Sequence, residues 1–167
     1  FCNNLKSIVL PAGLTDIRKQ AFYSCIALES VKLPDALTTI TDHLFYGCTS
    51  LKSIEFPPSL TKICDYSFYG SGLENVSIPD SVTSIGISSF SHCENLKTLD
   101  LGDGITSLGK WVFNSCTSLT DVDLGTSLTK IDNYTFSECN ALASITIPEN
   151  ITEIAEYVFS GCDSLAS

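Results

Sequence analysis

A phenylalanine recurs every 23 residues along most of the chain, with one step of 22. The series has seven members: Phe22, Phe45, Phe68, Phe90, Phe113, Phe136 and Phe159. A leucine series from Leu5 to Leu165 and a threonine series from Thr15 to Thr152 keep the same interval. Self-similarity at a period of about 20–50 residues is typical of solenoids, in which each unit buries its apolar face against its neighbours. The period therefore predicts one array of seven repeats over residues 1–167 rather than two independent domains.

Each repeat combines two short apolar segments with a phenylalanine-containing turn. An alternation such as Val31-Lys32-Leu33 predicts a short strand with one buried face, and the Pro or Gly that follows it ends the strand. Phe and Cys three residues apart, as in Phe136 and Cys139, fit the inner face of one helical turn. The predicted fold is an α/β leucine-rich solenoid with short parallel strands on its concave face and short helical turns or 3-10 segments opposite. Its repeats start near residues 5, 28, 51, 73, 96, 119 and 142.

Seven of the eight cysteines also follow the repeat: Cys2, Cys25, Cys48, Cys93, Cys116, Cys139 and Cys162. Neighbouring repeats would place their Cα atoms about 5 Å apart, which a disulfide allows. However, the series is odd in number and Ser71 interrupts it. Buried thiols behave as small apolar groups, so we favour a series of thiols packed beside the phenylalanines, with disulfides as the alternative.

The third repeat departs from the others. Gly70-Ser71-Gly72 replaces the usual stretch around the cysteine, and one residue is lost. A local change in curvature or twist is expected at this point.

The repeat resembles the BspA-type leucine-rich repeats of bacterial and protist surface proteins. The motif is clearest in Leu51–Phe68 (LKSIEFPPSLTKICDYSF) and Leu142–Phe159 (LASITIPENITEIAEYVF), and it covers essentially the whole chain. The resemblance implies a cell-surface or secreted protein that adheres to host proteins, matrix or other cells. It implies no shared catalytic residues.

Composition excludes several classes of partner. The formal net charge is −10, and nine Lys and Arg cannot supply the basic stripe that nucleic acid requires. No apolar run approaches the ~20 residues needed to span a bilayer. The sequence contains no Met and neither end has a polar capping repeat, so we expect a segment of a longer protein whose targeting signal and anchor lie elsewhere. Its oligomeric state is left open.

No motif of an enzyme is present in the sequence. His43 and His92 occupy different positions of the repeat, and neither has a partner that a catalytic motif would fix. Catalytic residues, a metal site and a cofactor are therefore not expected, and the two histidines are interpreted as solvated surface residues.

The exposed positions of the first strand form one candidate binding surface. Its candidate residues are Lys32, Glu55, Ser77, Asp100, Asp121 and Asp123. They predict an acidic, hydroxyl-rich concave face for a basic patch of a protein ligand, with calcium as a lesser option. The alternative is a polar strand face that only keeps the array soluble.

Aromatic residues with a polar tip form a second candidate surface. All six Tyr and the single Trp lie either two residues before or one residue after the repeat phenylalanine. On a helical turn with Phe inside, both positions would face solvent. The first of these positions gives a possible interaction stripe of Tyr66, Trp111, Tyr134 and Tyr157. The alternative is that neighbouring rings stack and shield the backbone.

Taken together, the sequence predicts a non-catalytic protein-binding or adhesion module whose ligand is a host, matrix or cell-surface protein. The alternative function is a spacer or stalk that presents another domain and binds nothing itself.

Overall fold

The computed structural model describes residues 2–167, which form a β-solenoid of about six turns of roughly 23 residues. Three-residue strands occupy the first apolar segment of five repeats: β1 Ser7–Val9, β2 Ser30–Lys32, β5 Asn75–Ser77, β7 Thr98–Asp100 and β9 Asp121–Asp123. All pairing is parallel, with β1 beside β2 and a separate sheet in the order β5-β7-β9. The equivalent residues 53–55 of the third repeat are not a strand, and the sheet divides there.

The second apolar segment forms its own parallel strands, which are only two residues long. They are β3 Thr39–Ile40, β4 Lys62–Ile63, β6 Ser84–Ile85, β8 Ser107–Leu108, β10 Lys130–Ile131 and β11 Glu153–Ile154. Threonine precedes all six of these strands for a structural reason. The amide and hydroxyl of Thr106 both donate to the carbonyl oxygen of Thr83, at 3.0 and 3.2 Å, and Thr152 does the same to Thr129. Thr61, Thr83, Thr106 and Thr152 thus each add a side-chain hydrogen bond to the ladder between repeats.

The predicted helical turns around the phenylalanines are wrong, because residues 2–167 contain no helix. Residues two before and two after each phenylalanine have positive φ, for example Trp111 at 56° and Ser115 at 59° around Phe113. A helix requires consecutive residues in the right-handed region, so a left-handed residue every four positions prevents it. The backbone instead bonds to the next repeat, as from the Phe113 amide to the Thr135 carbonyl at 2.9 Å.

The phenylalanine series is the centre of the core, as predicted. Five of its members have no exposed surface: Phe45, Phe68, Phe90, Phe113 and Phe136. Successive rings are stacked, with centroids 5.1 Å apart between Phe68 and Phe90 and 5.6 Å between Phe90 and Phe113. Burial of each ring contributes about 1.5–3 kcal/mol, and each aromatic pair adds about 0.5–1.5 kcal/mol.

The cysteines form the predicted series of thiols, and all eight are free. From Cys48 onward, each thiol of the series donates to the carbonyl oxygen of the phenylalanine in the preceding repeat, for example Cys48 to Phe22 at 3.1 Å and Cys139 to Phe113 at 3.3 Å. Burial raises the pKa of Cys48, Cys93 and Cys139 to about 12. The thiols are therefore protonated donors at neutral pH, and Ser71 takes the vacant place in the series with its Oγ 3.3 Å from Cys93 Sγ.

Two buried serines immediately before phenylalanines lack a hydrogen-bond partner in residues 2–167. Ser67 and Ser89 have no exposed surface, and neither hydroxyl is bonded. Other repeats carry Leu44 or Val112 at this position. The two hydroxyls therefore lower the stability of the core.

We expect Ser89→Ala to raise the free energy of unfolding by about 1 kcal/mol, because it removes an unsatisfied hydroxyl. Thermal unfolding should show a midpoint increase of about 2–4 °C. Ser91→Ala is the matched control: the Ser91 hydroxyl donates to the Asn114 carbonyl oxygen at 3.2 Å, so its loss should lower the midpoint. A lower midpoint for Ser89→Ala would mean that its hydroxyl is bonded in solution.

No helix within residues 2–167 is long and apolar enough to cross a membrane.

Candidate functional site

The predicted strand-face residues lie along one exposed surface. Lys32 is in β2, Ser77 in β5, Asp100 in β7 and Asp121 in β9, and all are exposed. Glu55 is also exposed but lies outside any strand. We call the outward-facing residues of the three-residue strands, together with Ser53–Glu55, the strand face.

The C-terminal half of the strand face is a concavity rich in carboxylates. Parallel register aligns Asp100 with Asp123 and Thr98 with Asp121, so these pairs lie about 4.8 Å apart across the sheet. A hollow of about 740 Å³ extends from here to Glu55. No Lys or Arg is among the described residues that line it. Its electrostatic potential is therefore negative.

Two of these carboxylates also have a structural role, which was not predicted from the sequence. One oxygen of Asp100 accepts the Gly102 amide at 2.8 Å, and Asp123 accepts the Gly125 amide at 2.9 Å. These are the two repeats in which glycine replaces the proline after the strand. Proline has no amide hydrogen, so the repeats with proline at this position need no such cap. In the two repeats with glycine, an Asp two residues before the Gly was the sequence pattern that could have predicted these hydrogen bonds. The remaining oxygens stay on the strand face, and Ser77 Oγ donates to Asp100 Oδ2 at 3.0 Å.

Asp121 and Glu55 differ from these capping residues. Neither carboxylate has a hydrogen-bond or ion-pair partner within residues 2–167. They are therefore the acidic groups of the strand face that are fully free to meet a ligand.

The positive charges near this sheet are largely paired with acids elsewhere. The residue after each repeat leucine alternates in sign over five repeats: Lys6, Glu29, Lys52, Glu74 and Lys97. Glu74 lies 3.1 Å from Lys97 and 3.5 Å from Lys52, and Lys6 lies 3.7 Å from Glu29. The hydrogen bond from Lys97 lowers the pKa of the Glu74 carboxyl. The cation of the strand face itself, Lys32, lines a hollow with Glu55, so the uncompensated acids are those of the C-terminal half, Asp100, Asp121 and Asp123.

The predicted aromatic stripe is divided in two. Trp111, Tyr134 and Tyr157 stack with centroids 5.3 and 4.9 Å apart, but Ser88 occupies the same position in the repeat before Trp111. Tyr66 instead stacks on His43 at 5.0 Å. None of the four stripe residues is buried, although only Trp111 and Tyr157 are clearly exposed.

Tyrosines one residue after the phenylalanine form a separate column. Tyr23, Tyr46 and Tyr69 stack with centroids 4.8 Å apart in both steps. The His43 ring lies beside this column, 5.7 Å from Tyr46. His43 is therefore a half-buried member of an aromatic cluster, which corrects its interpretation as a solvated residue. Stacked rings cover each other's faces and present mainly their edges to solvent.

No group of three or more His, Cys, Asp or Glu residues within 2–167 is arranged to hold a metal ion.

Comparison with known proteins identifies similar repeat proteins. A family model described as a BspA type leucine rich repeat region matches residues 1–76 and 61–167 in six copies. No curated protein matches significantly.

Solved structures of bacterial leucine-rich repeat proteins are similar over nearly the whole chain. One from Bacteroides ovatus is 31% identical with a TM-score of 0.87, covering 98% of this chain and 49% of its own. One from T. pallidum is 30% identical with a TM-score of 0.90, covering 97% of this chain and 78% of its own. A third, from Eubacterium ventriosum, is 26% identical with a TM-score of 0.66, covering 97% and 60%. The chain thus spans about half the length of the Bacteroides ovatus protein.

Proposed function

Because the chain belongs to the BspA-type leucine-rich repeat family, we propose that it is a non-catalytic binding module of a cell-surface or secreted protein. It binds a basic patch of a host, matrix or cell-surface protein on the strand face. Extended surfaces built by repeats are the usual means by which solenoids bind other proteins.

The observation that carries this proposal is the set of uncompensated carboxylates in the concavity. Asp121 and Glu55 have no partner in residues 2–167, and one oxygen each of Asp100 and Asp123 is committed to a turn. Clustered acids in a hollow attract basic side chains and accelerate their encounter. We prefer this surface to the Trp111–Tyr157 stack because the rings of that stack cover one another.

The test replaces Asp100, Asp121 and Asp123 together with asparagine. Asparagine keeps a side-chain oxygen for the Gly102 and Gly125 amides, so the turns survive while three negative charges are lost. Binding is measured with a fluorescent twelve-residue peptide of alternating lysine and serine, by anisotropy at two salt concentrations. We expect affinity to fall about tenfold or more and its salt dependence to weaken.

A charge-matched control removes three acids that lie away from the strand face, with Asp35→Asn, Glu149→Gln and Glu156→Gln. This variant should lose no more than about threefold in affinity, since screening limits the reach of exposed charges to about 10 Å. Equal losses in both variants would contradict the proposed surface. Undiminished binding by the strand-face variant would favour the spacer function instead.

A further inference from the structure

The shortened third repeat leaves a notch in the edge of the solenoid. Between the cysteine position and the following leucine, other repeats carry two residues, such as Thr49 and Ser50 or Glu94 and Asn95. The third repeat has only Gly72 there. Its amide donates to the Cys48 carbonyl at 3.1 Å, and an added Cβ would collide with the Thr49 carbonyl oxygen. The shortened segment thus lies close against the backbone of the second repeat, and a hollow lined by residues of the second, third and fourth repeats adjoins it.

This notch is a hollow of about 300 Å³, separate from the strand face. It is lined by Thr49, by the backbone of Gly70–Gly72, by Tyr69 and His92, and by Glu94 and Asn95. The volume suits a single side chain of a partner rather than a whole secondary-structure element. No Lys or Arg is among these described residues, and Glu94 is the only group with a formal charge.

One wall of the notch is aromatic. The column of stacked tyrosines ends at Tyr69, because the next repeat carries Ser91 at the equivalent position. The ring that follows is His92, whose centroid is 5.0 Å from that of Tyr69 and whose plane is tilted by 46°. The two rings diverge instead of covering each other fully, so ring surface is available to a ligand.

The rest of the lining is polar and rich in acceptors. Glu94 is exposed, and its carboxylate has no partner within residues 2–167. Asn95 beside it adds an amide oxygen, and Thr49 adds a hydroxyl. A planar cation with several donors complements a hollow that is lined by both aromatic rings and a free carboxylate.

We propose that the notch binds the guanidinium of an arginine side chain from a protein partner. The guanidinium packs against the Tyr69 and His92 rings and donates two hydrogen bonds to Glu94, with Asn95 as a further acceptor. This site is independent of the strand face and adds a second, side-chain-specific contact to the module.

The experiment titrates the ¹⁵N-labelled protein with Nα-acetyl-L-arginine amide and follows chemical shifts. A ligand of this size in a shallow site should bind with a dissociation constant of about 1–10 mM. The shifts should be largest around Tyr69, Gly72 and Glu94. The corresponding citrulline amide, which is the neutral isostere, should bind at least about tenfold more weakly.

Four variants distinguish binding in the notch from attraction by the protein's general negative charge. Glu94→Gln should weaken arginine binding about tenfold. Asp163→Asn, at the same repeat position but in the last repeat and away from the notch, should change it less than about twofold. Insertion of a serine between Gly72 and Leu73, together with Gly72→Thr, restores the common repeat length and fills the notch, so binding should be lost with Glu94 retained. If this insertion does not fold, Tyr69→Leu provides the second test and should weaken binding about threefold or more.

The strand-face variant at Asp100, Asp121 and Asp123 should bind the arginine amide normally, so failure of one proposal does not imply failure of the other. The proposal would be overturned by equal binding of the citrulline amide or by unchanged binding to Glu94→Gln. Tighter binding of methyl glucoside, a neutral sugar, than of the arginine amide would overturn it as well.

Discussion

Phe90→Ala is expected to lower the free energy of unfolding by about 3–5 kcal/mol. Phe90 has no exposed surface and stacks on both sides, at 5.1 Å from Phe68 and 5.6 Å from Phe113. Its removal leaves a cavity that rigid neighbouring repeats cannot fill. Because each repeat of a solenoid is stabilised only by its neighbours, one substitution weakens two interfaces at once. Urea unfolding followed by circular dichroism measures the loss.

Phe159→Ala provides the matched control at the last phenylalanine of the series. Phe159 is only partly buried and stacks on Phe136 at the longer distance of 6.1 Å. Its loss should cost about half as much as that of Phe90, since less surface and one ring contact are removed. Equal effects of the two substitutions would show that the phenylalanine series does not stabilise the array through its stacking.

The second large effect is a loss of stability in alkali. Cys48, Cys93 and Cys139 have pKa values raised by burial from 9.0 to about 12, and that of Cys116 is raised well above 9.0. A raised folded-state pKa means that the unfolded chain loses these protons first. The stabilisation of the folded state by these protonated thiols is therefore complete below pH 9 and is lost as the pH rises toward 12.

Each thiol contributes a slope of up to about 1.4 kcal/mol per pH unit in this window, which gives up to about 5.6 kcal/mol per pH unit for all four. Total stabilities of domains are about 5–15 kcal/mol, so we expect unfolding near pH 10–11. The measurement is urea unfolding in reductant at intervals from pH 7.5 to 11.

A variant with Cys→Ser at these four positions tests the cause. Ser71 already occupies one place in the series, and serine can donate to the same carbonyls without titrating in this range. The steep alkaline loss should become shallow, with a residual contribution from Tyr46, whose pKa burial also raises. An unchanged alkaline profile would exclude the thiols as its source.

The repeat length and the buried series were predictable because periodicity needs only the pattern of apolar residues. Phe45, Cys48 and Leu51 lie in the core as their spacing requires. The absence of helix was not predictable by the same reasoning. Spacing of three fits a helical turn, but it also fits a backbone that alternates between right-handed and left-handed residues.

The positions with positive φ around each phenylalanine could hardly be recognised from the sequence. The one before the phenylalanine is occupied by residues as different as Gln20, Trp111 and Ser88, which rarely adopt positive φ. Bonds between repeats impose this conformation, and no local propensity reveals them. The position after the phenylalanine does carry glycine in some repeats, such as Gly47 and Gly161, which was a partial indication.

The candidate site was predictable to a similar degree. Alternation along the strand placed Asp100, Asp121 and Asp123 on one exposed face, but it could not show that two of them cap turns. The aromatic positions were visible, whereas the division at Ser88 and the inclusion of His43 depend on which rings meet in space.

Because the charges that follow the repeat leucines from Lys6 to Lys97 alternate in sign, the number of repeats removed decides whether like or opposite charges become neighbours. Deletion of the single repeat from Leu28 to Ser50 would bring Lys6 beside Lys52, whereas deletion of two successive repeats would bring it beside Glu74. Like charges in register across neighbouring strands are destabilising, and opposite charges are not. In this part of the chain, removal of two repeats therefore keeps opposite charges beside each other, whereas removal of one repeat does not.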